Sequence, residues 1–97
     1  EQAVAKLGEE TGKPPQGRAC DVTDAGSISK FFAFTDDLWK TLDILVNNAG
    51  IGVFRSVGEM SAADWQRTID TNLTGVFHFS HHAIERFRRS GGGFIVN

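Results

Sequence analysis

Leu42-Asp43-Ile44-Leu45-Val46-Asn47-Asn48-Ala49-Gly50 is the stretch on which the reading of this chain turns. After Leu42, an apolar run from Ile44 to Val46 stops abruptly at two amides, an alanine and a glycine. Such a run, without strict alternation, fits a strand covered on both faces, and so a parallel sheet flanked by helices. Residues leaving the carboxyl end of such a strand stand where open α/β sheets take their ligands. Ala49 and Gly50 keep side chains short there, while Asn47 and Asn48 offer amides that both donate and accept.

On the amino-terminal side, residues 1 to 11 place Ala3, Val4 and Leu7 on one face of an amphipathic helix. Gly12 is set to cap it and Pro14-Pro15 bar its continuation. A strand is expected over residues 17–22. Thr23 or Asp24 then supplies a capping oxygen for a helix reaching Lys40, with Ile28, Phe31, Phe32, Leu38 and Trp39 on its apolar face. The central strand is expected over residues 42–47, followed by a loop from Ala49 to Met60.

On the carboxyl side, Ser61-Ala62-Ala63-Asp64 resembles a capping box with Asp in place of Glu. It opens the longest helix, over residues 61–89, in which Trp65, Ile69, Leu73, Val76, Phe79, Ala83 and Phe87 keep a helical rhythm. Asp70, Thr71, Asn72, Thr74 and Gly75 are modest or poor helix formers clustered inside it. They predict a local distortion that frees a carbonyl; Gly75 also suits tight packing on a strand. Gly91-Gly92-Gly93 ends the helix, and Phe94-Ile95-Val96 starts another buried strand. Alternating helices and strands define the fold class: α/β, part of a doubly wound parallel, Rossmann-like sheet with flanking helices.

Composition narrows the function classes. With 23% charged residues and a formal net charge of -2, the chain has no basic surplus to suggest nucleic acid or an anionic membrane as partner. Cys20 is the only cysteine, which excludes an internal disulfide and suits a reducing compartment. No charged-then-apolar leader and no spanning apolar run occurs, so a cytoplasmic protein is expected. The chain opens inside a helix and closes as a strand begins, as expected of a single incomplete domain, residues 1–97, truncated at both ends.

Four motifs in register then resemble one family. Cys20-Asp21-Val22-Thr23-Asp24, Asn47-Asn48-Ala49-Gly50, Thr71-Asn72-Leu73-Thr74-Gly75 and Gly93-Phe94-Ile95-Val96-Asn97 follow the order and spacing of the short-chain dehydrogenase/reductases. The likeness covers essentially the whole chain and points to the branch whose strand ends in Asn-Asn-Ala-Gly. It implies an NAD(P)-dependent oxidoreductase that interconverts a hydroxyl and a carbonyl on a small-molecule substrate. It also implies that Asp21 accepts from the adenine amino group with the Val22 backbone alongside. Asn48, Ala49 and Gly50 would line the cofactor ribose and the floor beneath it. Asn72 matches the helix asparagine of the catalytic Asn-Ser-Tyr-Lys set, which organises a water for proton relay. The helix at 61–89 is implied to pack on its copy, giving a homodimer or homotetramer.

The family's glycine-rich phosphate loop is not among these residues. Tyrosine does not occur, so the Tyr-x-x-x-Lys acid is absent too, and the 97-residue chain alone is expected to be inactive and marginally stable. Neither NAD nor NADP is favoured by the residues present. A nucleotide-binding scaffold or sensor of the same fold, without chemistry, is the alternative.

Each motif also has a plainer reading. Asp21 could simply start a turn, and Asn47 and Asn48 could satisfy backbone groups where the sheet opens. His78 and His82 have the spacing of a metal pair, but no third ligand is placed, so a helix flank or subunit contact is the reading and no metal is expected. In the sheet order 3-2-1-4-5-6, the strand at 17–22 is the third and that at 42–47 the fourth. The 17–22 segment should therefore lie detached or pair non-natively, whereas the strand from Phe94 pairs directly with 42–47.

Overall fold

A computed structural model of the chain describes residues 2–97. Helix α1 spans Gln2–Thr11, α2 Ala25–Leu38 and α3 Ala62–Ile69. A π-helical turn, Asp70–Thr74, joins α3 to α4, Gly75–Ser90. Strands β1, Ile44–Val46, and β2, Phe94–Val96, form a parallel pair in the register Ile44↔Phe94, Leu45↔Ile95, Val46↔Val96. Glu1, with which the expected first helix began, lies outside the described residues.

Local chemistry sets these boundaries. Asp24 caps α2, accepting from the Gly26 N–H, and Ser61 caps α3, accepting from the Asp64 N–H. α4 stops at Gly91, whose φ of 98° is left-handed; the Gly91 and Gly92 N–H groups both return to the Phe87 carbonyl. The pairing of β1 and β2 runs one residue beyond each end. Phe94 N–H donates to Asp43 O at 2.9 Å and Asn47 N–H to Val96 O at 2.8 Å.

The strand expected over 17–22 is not formed. The sheet among the described residues has two strands, and no backbone ladder reaches 17–22. A strand without a neighbour has nothing to receive its N–H and C=O groups. The end of this segment instead folds into a turn, Asp24 N–H to Asp21 O, that leads into α2.

The core lies between α2 and α4, where Ile28, Phe32, Ala83 and Phe87 are buried. Phe79 fills the same seam, its ring centroid 5.3 Å from that of Phe32. Leu38 and Trp39 of the expected apolar face are exposed, as are Trp65 and Leu73 of the long helix. Helical rhythm marks an apolar face without saying what covers it. Among the described residues the sheet is covered on one side. Leu45 and Ile95 are half-buried, whereas Ile44, Val46, Phe94 and Val96 on the opposite face are 51–73% exposed. The radius of gyration, 15.9 Å, correspondingly exceeds the roughly 13 Å of a compact chain of this length.

Candidate functional site

Three segments meet beyond the carboxyl ends of the strands. The first is the exit of β1. Asn47 donates from Nδ2 to Asn97 Oδ1 at 2.9 Å, tying the exits of β1 and β2 together, with Ser80 of α4 at 3.5 Å. Asn48, Ala49 and Gly50 follow, exposed and themselves in no helix or strand.

The second segment is the π-helical turn. Weak helix formers from Asp70 to Gly75 allow one wider turn, in which the Gly75 N–H reaches back to Asp70 O. Asn72 points from this turn to the β1 exit. Its Nδ2 donates to Ile51 O at 2.8 Å and its Oδ1 accepts from Ile51 N–H at 2.9 Å. A single amide thus satisfies both polar groups of one backbone residue, which holds the loop after Gly50 to the helix. The distortion expected at 70–75 is this turn.

The third segment carries Asp21 and Val22. A Cβ on Gly75 would lie 2.9 Å from Val22 O, so only glycine lets the segment sit this close to α4. Val22, Asn47, Ala49, Thr71 and Gly75 enclose a cavity of about 20 Å³ where the three segments touch. Asp21 is exposed beside it. Thr23 donates to Asp21 Oδ1 from its N–H at 2.9 Å and its hydroxyl at 2.7 Å. These donors hold the Asp21 carboxyl below the usual carboxylate value.

The arrangement therefore presents a charged acceptor, small-residue backbone and a braced loop at one rim. Of the residues singled out in the sequence, Val22, Ala49, Gly50 and Asn72 are brought together, with Asp21 next to them. Asn48 has no side-chain partner among the described residues. The reading missed Thr23 and Ser27 as partners of Asp21, although Asp-x-Thr before a helix is a turn signal. It also missed Ile51, whose part is played by backbone that no side chain advertises.

His78, His81 and His82 stay on the flanks of α4. His82 stacks on Phe32 at 4.7 Å and 14°, and His81 pairs with Glu85 at 3.5 Å.

A parallel α/β sheet with short residues and anchored amides at its strand exits defines a class of ligand-binding domain. Comparison with known proteins narrows the class. The family model for short chain dehydrogenase matches residues 1–97, and the chain belongs to that family. It is 35% identical to serine 3-dehydrogenase of Agrobacterium fabrum over 97 residues, which is 99% of this chain and 39% of that protein. It is 37% identical to D-threitol dehydrogenase of Mycolicibacterium smegmatis, covering 100% of this chain and 37% of that one. The X-ray structure of an alcohol dehydrogenase from the archaeon Thermococcus sibiricus, complexed with 5-hydroxy-NADP, superposes with a TM-score of 0.86 at 27% identity. That match covers 98% of this chain and 40% of the archaeal one. The chain thus spans well under half the length of the relatives it matches.

Proposed function

We propose that these 97 residues are the central part of one NAD(P)-binding Rossmann domain, in an enzyme that interconverts a hydroxyl and a carbonyl of a small molecule. Bound NAD or NADP would supply the hydride acceptor or donor. The residues present fit such a group. Asp21 offers an exposed, ionised acceptor for the adenine amine, with the Val22 backbone beside it. Asn48, Ala49 and Gly50 leave an open floor for the ribose. Asn72 braces that floor and keeps the π-helical turn in place for a proton relay; the relay's serine, tyrosine and lysine would come from elsewhere in the full-length protein.

The observation that carries this reading is the double hydrogen bond of Asn72 to Ile51. It joins a distorted helix to a strand exit, beside the small residues offered to the ribose. The outer face of α3, the π-helical turn and α4, with Trp65, Leu73, Phe77 and Ile84 exposed, is part of the proposal as a contact with a second copy in a dimer or tetramer. No helix among the described residues is long and apolar enough to cross a membrane. A cytoplasmic setting, without nucleic acid as partner, completes the reading.

The test is nicotinamide absorbance in the full-length protein, given NAD(P)H with a panel of carbonyls, or NAD(P) with the matching alcohols. Turnover of at least one pair is expected. Asn72→Leu, which keeps the branched shape and removes both hydrogen bonds, should lower kcat/KM by at least about tenfold. No turnover across the panel, with the cofactor still bound, would leave a non-catalytic binder of the same fold.

A further inference from the structure

The hydrogen bonding of Asp21 is half spent. Its Oδ1 takes two donors, the N–H and the hydroxyl of Thr23. Its Oδ2 has no partner among the described residues. The Asp21 N–H donates to Ser27 Oγ at 2.9 Å, and its carbonyl accepts from the Asp24 N–H at 3.1 Å. Both polar groups of the Asp21 backbone are therefore held from the start of α2. A turn that merely begins a helix needs the Thr23 N–H alone. The second bond, from the hydroxyl, fixes the carboxylate's rotation and leaves Oδ2 as the oxygen free to accept.

We infer that Thr23 and Ser27 are positioning residues that set which purine base this rim accepts. The inference rests on the proposed reading in which Asp21 meets the adenine end of the cofactor. An ionised carboxylate oxygen accepts and never donates. It matches the 6-amino group of adenine, and faces the 6-oxo group of hypoxanthine with lone pair against lone pair. A swivelling carboxylate could turn away from that mismatch; one pinned by Thr23 cannot. Discrimination then comes from an unmet polar contact, which costs more than a met one gains.

The experiment compares the adenine cofactor with its hypoxanthine analogue in the full-length protein, with AMP and IMP binding measured in parallel. Thr23→Val should reduce the adenine-over-hypoxanthine ratio of kcat/KM by roughly threefold to tenfold, the change falling chiefly on KM for the hypoxanthine cofactor, which should drop. Thr23→Ser keeps the hydroxyl and should restore the ratio. Ser27→Ala should shift it in the same direction by less. Equal losses for both cofactors in Thr23→Val, or no rescue by Thr23→Ser, would reduce Thr23 to a structural part and overturn the inference.

Asp21→Asn is the control that separates the two levels. If Asp21→Asn collapses the ratio and Thr23→Val leaves it intact, the positioning role falls while the site reading stands. If Asp21→Asn itself leaves AMP and IMP binding unaltered, Asp21 does not meet the base, and the site reading falls with the inference.

Discussion

The two ends of α4 are joined to the rest of the molecule by different chemistry. At its start, beside the strand exits, the joints use backbone and the smallest polar side chains. Asn72, in the turn that opens it, clasps Ile51, Asn47 meets Ser80 at 3.5 Å, and Gly75 lies against Val22 O. At its far end, long side chains reach across to α2. Arg86 pairs with Asp36 through Nε at 2.8 Å and Nη2 at 2.6 Å. The Arg86 guanidinium carbon also lies 4.6 Å from the Phe32 ring centre, beside the stacked His82. The first end tolerates few residue types and buries little; the second buries most of what is buried. Activity should therefore depend on one end and stability on the other, and substitutions can break that division.

The largest effect is expected at the stability end. Phe32 is 2% exposed, and Phe32→Ala would leave a cavity in a small core, a change that removes about 3 kcal/mol or more. Urea denaturation of the full-length protein reads this directly. A loss under about 1 kcal/mol would mean that the α2–α4 seam is not where the stability resides.

At the other end, Gly75→Ala tests the sign of an effect rather than its size. In an ordinary helix, replacing glycine by alanine gains about 1 kcal/mol. Here the new methyl would stand 2.9 Å from Val22 O and 3.4 Å from Asp70 O, both backbone atoms that cannot swing aside. The substitution should instead cost about 1–2 kcal/mol and raise KM for the cofactor by moving Val22. Gly26→Ala, early in α2, is the control, since its methyl meets only Asp24 Oδ1 at an ordinary 3.5 Å. Equal gains from both would show that the close approach at Gly75 is not felt.

This contrast also explains what could be read from the sequence. The exit end was legible because backbone joints restrict residue type. Only glycine fits at Gly75, and only an asparagine-like amide can clasp both groups of Ile51, so Asn-Asn-Ala-Gly and the weak helix formers at 70–75 announced a strand exit and a distorted helix. The far end was not legible. Arg86 and Asp36 stand 50 residues apart, and many pairs of charges could have met there. The 17–22 segment forms no strand and lies detached from the sheet, one of the two outcomes that the order 3-2-1-4-5-6 allows when its strand neighbours are not among the described residues. The bare face of Ile44, Val46, Phe94 and Val96 was hidden as well. An apolar run predicts that both faces want cover, and among the described residues the helices cover one.

The smallest effect is expected from acid, and it separates two groups at the same end. Burial against Phe32, then the neighbouring Arg86 charge, pull the His82 pKa below its usual 6.5, with Glu85 opposing. His81 and His78 from α4 pull the same way, while Asp36 from α2 faces it. Folding thus disfavours the charged ring, and below pH 6.5 the unfolded chain binds the extra proton more readily, so stability falls as acid is added. The loss grows from 6.5 down to the folded-state value and then levels off. Asp36 behaves differently. Its hydrogen bond to Arg86 lowers its pKa from 3.8, so its contribution is complete above 3.8 and lost only as pH drops further. The His82 window opens at 6.5, above the 3.8 at which that of Asp36 opens. Melting temperatures of the full-length protein between about pH 7 and about pH 5 should decline slightly, and His82→Gln should flatten that slope while leaving the decline below pH 3.8 in place. If the variant's slope matches the parent's in the upper window, His82 does not titrate against the Phe32 ring, and the acid sensitivity there has another source.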